Sequence, residues 1–312
     1  MNEYTPEGSL LPTQRNFEYT RSAEALRTAK QKGIILEAYA VLCDHSFNLH
    51  VELSCGIRAI IPRREVEYTR RGEATKDIAI LTRVGKPVCF KVLGFEELPS
   101  GEEIVILSRR AAQAECIANY ISALTPGDII RTKITHLENF GAFVDIGCGV
   151  TSLLSIDAIS VSRISHPSAR LSVGDSIYTV VKAKDESGRI YVSERELLGS
   201  WEENASMFSE GETVKGIIRS VEDYGVFVEL RPNLAGLAEY RDDAKPGQTA
   251  AVYIKSIIPE KMKIKLIIID AHDRTERPAP LEYFIDPESV THIDSWTYSP
   301  SSSKRVIESV FS

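Results

Sequence analysis

Apolar and polar residues alternate in short runs along most of the chain, and Gly, Asp and Ser separate the runs. Residues 129–134, 142–146, 177–181 and 189–192 follow this period of two, which is the pattern of short strands with one buried face. Strands of this length and number predict a small closed barrel.

The strand pattern belongs to a unit that recurs. Residues 126–197 and 211–270 align almost residue for residue, and a weaker copy precedes them at 33–108. Self-similarity of this kind indicates consecutive domains of one type. The chain is therefore predicted to be mainly β, with small barrels in tandem.

Other segments have helical spacing. Residues 109–124 carry apolar side chains on one face. Ser200 and Glu203 form a capping box at the start of another helix. A third helix, 23–31, follows the cap residue Ser22. These segments are predicted to join the barrels.

The tail is predicted to end in a helix after Pro300, with one apolar face formed by Val306, Ile307, Val310 and Phe311. The predicted organisation is an N-terminal extension with a short helix (1–32), a degenerate first barrel (33–108), a connector helix (109–125), a second barrel (126–198), a second connector helix (199–209), a third barrel (210–270) and a C-terminal tail with a short helix (271–312).

Composition and charge limit how such barrels can work. The chain is 43% apolar and has a formal net charge of −7, which argues against coating of duplex nucleic acid by bulk electrostatics. Any nucleic-acid contact must therefore be local. No apolar stretch approaches the roughly 18 residues of a membrane span, and the first residues lack a signal-peptide pattern. We expect a cytoplasmic protein with no membrane partner.

Candidate chemistry is sparse. The five cysteines have irregular spacing and fit reduced core thiols better than a disulfide framework. The alternative is a metal site of Cys43, His45, His50 and Cys55, although no Cys-x-x-Cys pair is present. We predict no metal and no other cofactor. The chain has no Gly-x-x-x-x-Gly-Lys-Ser/Thr loop and no His-Glu-x-x-His helix, so we predict no enzymatic activity and no small-molecule substrate.

The repeats resemble a known RNA-binding family. The second repeat contains NFGAFVD at 139–145 and DESGRI at 185–190, and the third contains DYGVFVE at 223–229 and LAGLAE at 234–239. These segments are similar to the motif of the S1-type RNA-binding domain, and the whole chain resembles a short clostridial or Firmicutes form of small-subunit ribosomal protein S1. The resemblance implies a five-stranded OB-fold barrel in each repeat and single-stranded RNA as the ligand.

In the second repeat, both aromatic residues of the motif are expected to face solvent. Val144 has the parity of a buried face, which turns Phe143 outward with Asp145. Gly141 permits a bulge that brings Phe140 to the same side as Phe143. Rings in this position would stack on unpaired bases. The alternative is that both rings are core residues.

The resemblance assigns further RNA contacts in this repeat to Ser155, which stands where the family usually has histidine, and to Asp185 and Arg189 before the last strand. Arg189 would bond phosphate or stack on a base, and Asp185 would orient Arg189. A surface salt bridge of little energetic weight is the alternative for this pair. Lys133 is a further candidate RNA contact.

The third repeat departs more from the motif. Its aromatic pair is Tyr224 and Phe227. Lys261, Lys263 and Lys265 alternate with apolar residues, so one strand face is predicted to present three ammonium groups to an RNA backbone. A solvated strand face is the alternative.

The first repeat is the most divergent. It has Phe47 and His50 at the aromatic positions, Pro62 at the histidine position and no clear Asp and Arg pair. By resemblance, it would dock on the ribosome or on another protein, and a structural spacer is the alternative.

Together the patterns and the resemblance predict a non-catalytic protein that binds single-stranded messenger RNA, associates with the small ribosomal subunit and supports translation. The alternatives are an accessory protein of RNA processing or degradation, and a regulator that docks proteins through its barrels.

Overall fold

Short strands with one buried face close into a barrel three times along the chain. The computed structural model describes residues 4–69, 75–273 and 281–311. Each of its three closed barrels has five strands, so the predicted tandem of five-stranded barrels is confirmed.

The strands of the first barrel, in the order β1-β2-β3-β5-β4, are β1 (Leu36–Cys43), β2 (Leu49–Glu52), β3 (Ala59–Ile61), β4 (Pro87–Glu97) and β5 (Glu103–Ser108). Those of the second, in the order β10-β8-β7-β6-β9, are β6 (Ile129–Glu138), β7 (Gly141–Asp145), β8 (Thr151–Ser155), β9 (Ser176–Lys184) and β10 (Ile190–Ser193). Those of the third, in the order β11-β12-β13-β15-β14, are β11 (Thr213–Glu222), β12 (Gly225–Arg231), β13 (Leu234–Ala238), β14 (Thr249–Ile258) and β15 (Lys263–His272).

Short helices lie before, within and between the barrels. They are α1 (Gln14–Thr20), α2 (Ala23–Lys32), α3 (Asp77–Leu81), α4 (Arg109–Asn119), α5 (Ile156–Ile159) and α6 (Trp201–Ala205). The 3₁₀ turns are Arg63–Glu65, Ile121–Ala123, Pro167–Ala169, Arg195–Leu198 and Pro259–Lys261. Ser22 caps α2, and Ser200 and Glu203 form the predicted capping box of α6. Within the described ranges, no helix has the length and apolar character needed to cross a membrane.

The chain divides into two compact units, residues 1–124 with 145–151 and residues 125–144 with 152–312. In the first unit, a buried ion pair anchors the N-terminal segment. The Glu7 carboxylate accepts hydrogen bonds from Arg109 Nε at 2.6 Å and from Arg109 Nη2 at 3.1 Å. Burial opposes ionisation of Glu7, but Arg109 and Arg83 hold its pKa below the usual value.

Asp145 is part of the same buried cluster. Its carboxylate accepts hydrogen bonds from the backbone N–H groups of Glu7, at 2.7 Å, and of Gly147 and Gly149. Burial and the charge of Glu7 raise the pKa of Asp145 to about 7. The prediction that Asp145 faces outward with Phe143 is wrong: Asp145 is buried, because the N-terminal segment covers its carboxylate and donates to it through the Glu7 N–H.

In the second unit, Glu229 on β12 joins the second and third barrels. Its carboxylate accepts from Arg170 Nη2 at 2.7 Å and from Arg219 at 2.7 and 3.0 Å. The Asn233 side chain accepts from the Val161 N–H at 2.9 Å and donates to two backbone carbonyl groups that precede α6. Ion pairs buried this deeply require good geometry to offset their desolvation, so the two barrels meet in one defined arrangement.

Residues 281–311, which we call the strap, contact both barrels of the second unit. Tyr283 and Phe311 pack on a core cluster of the second barrel, whereas Trp296 and Tyr298 are buried in the core of the third. The Tyr298 hydroxyl also donates to the backbone carbonyl of Asn233. The strap therefore adds a second connection between the same two barrels.

The predicted final helix of the tail is wrong. β17 (Glu308–Val310) instead pairs in antiparallel fashion with β16 (Ser295–Thr297). Ile307 packs on the core of the third barrel and Phe311 on that of the second. The apolar residues therefore contact two separate barrels, which a single helical face would not do.

A buried carboxyl group ties the strap to the second barrel. The Tyr283 hydroxyl donates to Glu194 Oε1 at 3.1 Å and accepts from the Tyr178 N–H at 3.0 Å. Burial raises the pKa of Glu194 to about 8, against smaller opposing effects of Tyr283 and Arg170. Because the folded pKa lies above the unfolded value, stabilisation by protonated Glu194 is complete below its ordinary pKa of 4.5 and is lost as the pH rises toward 8.

We therefore expect Glu194→Gln to reduce the fall in the free energy of unfolding between about pH 5 and pH 8. The amide accepts the same hydrogen bond and has no charge to bury. Urea unfolding followed by tryptophan fluorescence measures this, since both tryptophans, Trp201 and Trp296, lie in the second unit. Glu202→Gln, at an exposed position of α6, is the control. Equal pH dependence in wild type and Glu194→Gln would contradict a protonated Glu194.

Candidate nucleic-acid interface

Two aromatic rings meet on the outer surface of the second barrel. Phe140 occupies the turn between β6 and β7 and is 54% exposed, and Phe143 is half-buried on β7. Their ring centroids are 6.1 Å apart, and the ring planes are nearly perpendicular at 89°. The structure thus brings the two rings together on one side and leaves them accessible to a ligand.

A glycine at the hairpin permits this arrangement. A Cβ atom at Gly141 would lie 2.4 Å from the backbone carbonyl oxygen of Leu154 on the neighbouring strand β8. A Cβ atom at Gly225, the corresponding residue of the third barrel, would lie 2.5 Å from the carbonyl oxygen of Ala238. Only glycine allows the hairpin to approach the next strand this closely.

The third barrel repeats the aromatic arrangement. Tyr224 at the β11–β12 turn is 70% exposed, and Phe227 on β12 is half-buried. The ring centroids are again 6.1 Å apart, at an angle of 87°. Two barrels with different side chains around them therefore preserve one pair geometry.

Asp185 organises the turn between β9 and β10. Its Oδ1 accepts a hydrogen bond from the Ser187 hydroxyl at 2.7 Å and one from the backbone N–H of Arg189 at 2.9 Å. The bond from Ser187 is the main reason that the pKa of Asp185 is lowered. The Arg189 side chain is exposed. Asp185 thus fixes the backbone that carries Arg189. The third residue assigned by resemblance, Ser155, lies half-buried at the end of β8.

The predicted cations of the third barrel lie in two different elements. Lys263 and Lys265 are exposed on β15 and alternate with buried Ile264. Lys261 lies in the 3₁₀ turn before the strand, and Met262 has a left-handed backbone with φ of 48°. The prediction of three lysines on one strand face is therefore wrong for Lys261, because the strand begins after that turn. In the second barrel, Lys133 is half-buried on β6.

Two further aromatic side chains on the surface of the second barrel were not predicted. The His136 ring stacks on Phe143, with centroids 6.4 Å apart and 22° between the planes. Tyr191 on β10 is 36% exposed and pairs with Leu153 on β8. Tyr191 alternates with buried neighbours, so its strand pattern could have indicated an outward ring. His136 has the same parity as buried Ile134, so alternation alone would predict that the His136 ring faces the core.

The aromatic position of the first barrel has a different environment. The Phe47 ring packs against the barrel core, and the Arg63 guanidinium lies over it, 4.7 Å from the centroid. Arg63 is held by an ion pair with Asp77 at 2.5 Å. His50 Nε2 lies 3.2 Å from Asp44 Oδ2. Side chains of the protein itself therefore occupy the surroundings of Phe47 and His50.

A metal site receives no support in the part of the chain that the structure describes. There, no three His, Cys, Asp or Glu side chains are grouped so that they could hold a metal ion. The cysteines at 43 and 55 are half-buried and those at 89, 116 and 148 are buried, all five with free thiols.

Comparison with known proteins assigns the second barrel to a class. Residues 124–195 match the family described as the S1 RNA binding domain, so the second barrel belongs to the class of S1-type RNA-binding barrels. Over 284 residues, the chain is 30% identical to small ribosomal subunit protein bS1 of Staphylococcus aureus, which covers 86% of this chain and 69% of that protein. The chain belongs to the bS1 family, and the family predicted from the motifs is confirmed.

Other relatives extend beyond the matched region. The chain is 32% identical over 193 residues to bS1 of Staphylococcus saprophyticus and 30% identical over 198 residues to bS1 of Leuconostoc lactis. These alignments cover 56% and 58% of this chain, and 49% and 46% of the relatives, so the chain spans about half the length of these two proteins. A solved multidomain protein with nucleic acid binding domains from Streptococcus pneumoniae is similar at a TM-score of 0.25 and 14% identity, over 76% of this chain and 73% of that one.

The hairpin glycine offers a direct test of the site geometry. We expect Gly141→Ala to lower the free energy of unfolding by about 1–3 kcal/mol, because the added methyl group overpacks the contact with Leu154. Gly94→Ala is the control, since Gly94 also lies in a strand, β4, but the nearest atom to a Cβ there is the Nζ of the flexible Lys30 side chain at 3.7 Å, an ordinary contact distance. Urea unfolding of both variants checks this. Equal losses would show that the close approach at Gly141 does not constrain the hairpin.

Proposed function

We propose that the chain binds single-stranded RNA without catalysis and works with the ribosome on messenger RNA. The observation that carries the proposal is one exposed, perpendicular ring pair at the same hairpin of two consecutive barrels. Base stacking on such rings is worth about 1–3 kcal/mol per base. Only unpaired bases present a free face to a ring, so the proposed ligand is single-stranded.

Cationic side chains near the rings supply the phosphate contacts in this proposal. Arg189 is exposed at the β9–β10 turn of the second barrel, and Lys263 and Lys265 are exposed on β15 of the third. Ser155 and Lys133 complete the proposed surface of the second barrel, and Lys261 extends that of the third. The net charge of −7 makes attraction to a polyanion local to these side chains. This favours a strand that follows the ring pairs over nonspecific binding of a duplex.

The ribosomal part of the proposal rests on family membership. The relatives are named small ribosomal subunit proteins, which supports the small ribosomal subunit as a partner and the cytoplasm as the location. Messenger RNA is the single-stranded RNA that we propose for the ring pairs. A binding role in translation requires no catalytic group. The alternative role, as an accessory protein of RNA processing or degradation, would use the same ring pairs with a different protein partner.

A second function, protein docking, is proposed for the first barrel. Arg63 covers one face of Phe47 and is itself paired with Asp77, so a base would have to displace an internal contact in order to stack there. This favours a docking or spacer role for the first barrel and leaves RNA binding to the other two.

We expect Phe140→Ala and Phe143→Ala each to weaken binding of fluorescein-labelled single-stranded RNA by about 1–3 kcal/mol, because each removes a stacking ring. Fluorescence anisotropy measures the affinity, and circular dichroism checks the fold. Phe17→Ala is the control, since Phe17 is exposed to a similar extent, 52%, but lies on α1. Wild-type affinity should fall with salt, with a logarithmic slope of about 0.7 per phosphate contacted. Unchanged affinity in both interface variants, or a flat salt response, would argue for protein partners instead.

Gradient centrifugation separates the ribosomal alternatives. In a lysate of cells that produce the chain, we expect it to sediment with small subunits and polysomes. RNase treatment should release the fraction that is held through messenger RNA and leave the fraction that is held by the subunit. Blotting gradient fractions before and after treatment measures both. A chain that stays at the top of the gradient in both samples would contradict the ribosomal part of the proposal.

A further inference from the structure

The strand register of the third barrel defines a row of side chains across its outer surface. Phe227 on β12 pairs with Leu237 on β13, and Leu237 pairs with Lys265 on β15. Neighbouring strands are about 4.8 Å apart, so the Lys265 backbone lies roughly 10 Å from that of Phe227. The Lys265 side chain is exposed, which leaves its ammonium group available to a ligand that contacts the ring pair.

The second barrel has the same row with a different residue at its end. Leu153 on β8 pairs with Tyr191 on β10. Gly141 approaches Leu154 as Gly225 approaches Ala238, and the same register then brings Leu153 beside Phe143. Tyr191 therefore occupies in the second barrel the position that Lys265 occupies in the third.

We propose that this position determines what each barrel recognises: Tyr191 stacks on an additional base in the second barrel, and Lys265 binds a phosphate in the third. The inference rests on the proposed function, because it assumes that the ring pairs bind single-stranded RNA. An exposed phenol ring offers a face to a base and carries no charge at neutral pH. An ammonium group on the same site is a point charge suited to phosphate.

At the β6 or β11 end of each row, the second barrel again has an aromatic side chain where the third barrel has a polar one. His136, which stacks on Phe143, lies on β6, whereas Ser220 on β11 pairs with Phe227 in the third barrel. The second barrel thus has rings on both sides of its central phenylalanine, and the third has a hydroxyl group and an ammonium group. The second barrel is the one built to distinguish bases, and the third holds the backbone with less regard to sequence.

The Tyr191 hydroxyl has a contact of its own, which the experiment must separate from stacking. It lies 3.5 Å from Asp185 Oδ2, at the turn that carries Arg189. If Tyr191 served only to support this turn, the hydroxyl would matter and the ring would not. Tyr191→Phe keeps the ring and removes the hydroxyl, whereas Tyr191→Leu removes the ring and keeps apolar bulk.

The test is fluorescence anisotropy of the full chain with fluorescein-labelled oligouridylate and oligoadenylate of equal length, over a range of salt concentrations. Tyr191→Leu should weaken binding by about 5- to 150-fold, which corresponds to one stacked base, with an unchanged salt slope. Tyr191→Phe, which keeps the ring, should retain most of the wild-type affinity. Lys265→Met should instead lower the salt slope by about 0.7 and weaken binding to both oligonucleotides equally. Tyr191→Leu should also reduce the difference in affinity between the two oligonucleotides.

Tyr39→Leu is the matched control, since Tyr39 is 49% exposed on β1 of the first barrel, to which no RNA contact is assigned. It should bind both oligonucleotides as wild type does. Wild-type affinity in Tyr191→Leu, or a loss in Tyr191→Phe as large as in Tyr191→Leu, would overturn the inference while leaving the ring pairs as the binding site. Failure of the wild-type chain to bind either oligonucleotide would overturn the proposed function itself.

Discussion

The close contact between a hairpin glycine and the carbonyl oxygen of the next strand is the constraint on which the candidate interface depends. At Gly141 and at Gly225 there is no room for a Cβ atom, so the chain can turn tightly and return along the barrel with its aromatic residues facing out. The ring pairs, with equal centroid distances in both barrels, follow from this backbone geometry. The surrounding side chains are then free to differ, and they do: His136 and Tyr191 lie in the row through Phe143, whereas Ser220 and Lys265 lie in the row through Phe227.

Buried ion pairs have a different structural role in each of the two compact units. In the first unit, Glu7 and Arg109 hold an N-terminal segment against the barrel and its neighbours. In the second unit, Glu229 accepts from two arginines and connects two barrels. Breaking such a pair would leave an uncompensated charge in a desolvated site. The two barrels that carry the exposed ring pairs are therefore held together by buried ion pairs as well as by the chain that links them.

The barrels and their ring pairs could be predicted from the sequence, because alternation along a strand is a local property and the repeat shows it more than once. The errors have non-local causes. Asp145 is buried by Glu7, which lies 138 residues away, and the apolar residues of the strap pack on two separate barrels. Lys261 falls outside its strand because a left-handed residue, Met262, intervenes.

The strap has a consequence for the order of events during synthesis. Residues 281–311 leave the ribosome only after both barrels that they contact, and domains that emerge earlier generally fold as units first. The second and third barrels would then form first, and the packing of Tyr283 on one barrel and of Trp296 and Tyr298 on the other would connect them afterwards. A nascent chain that stalled before the strap would carry two complete barrels without the strap contacts that connect them.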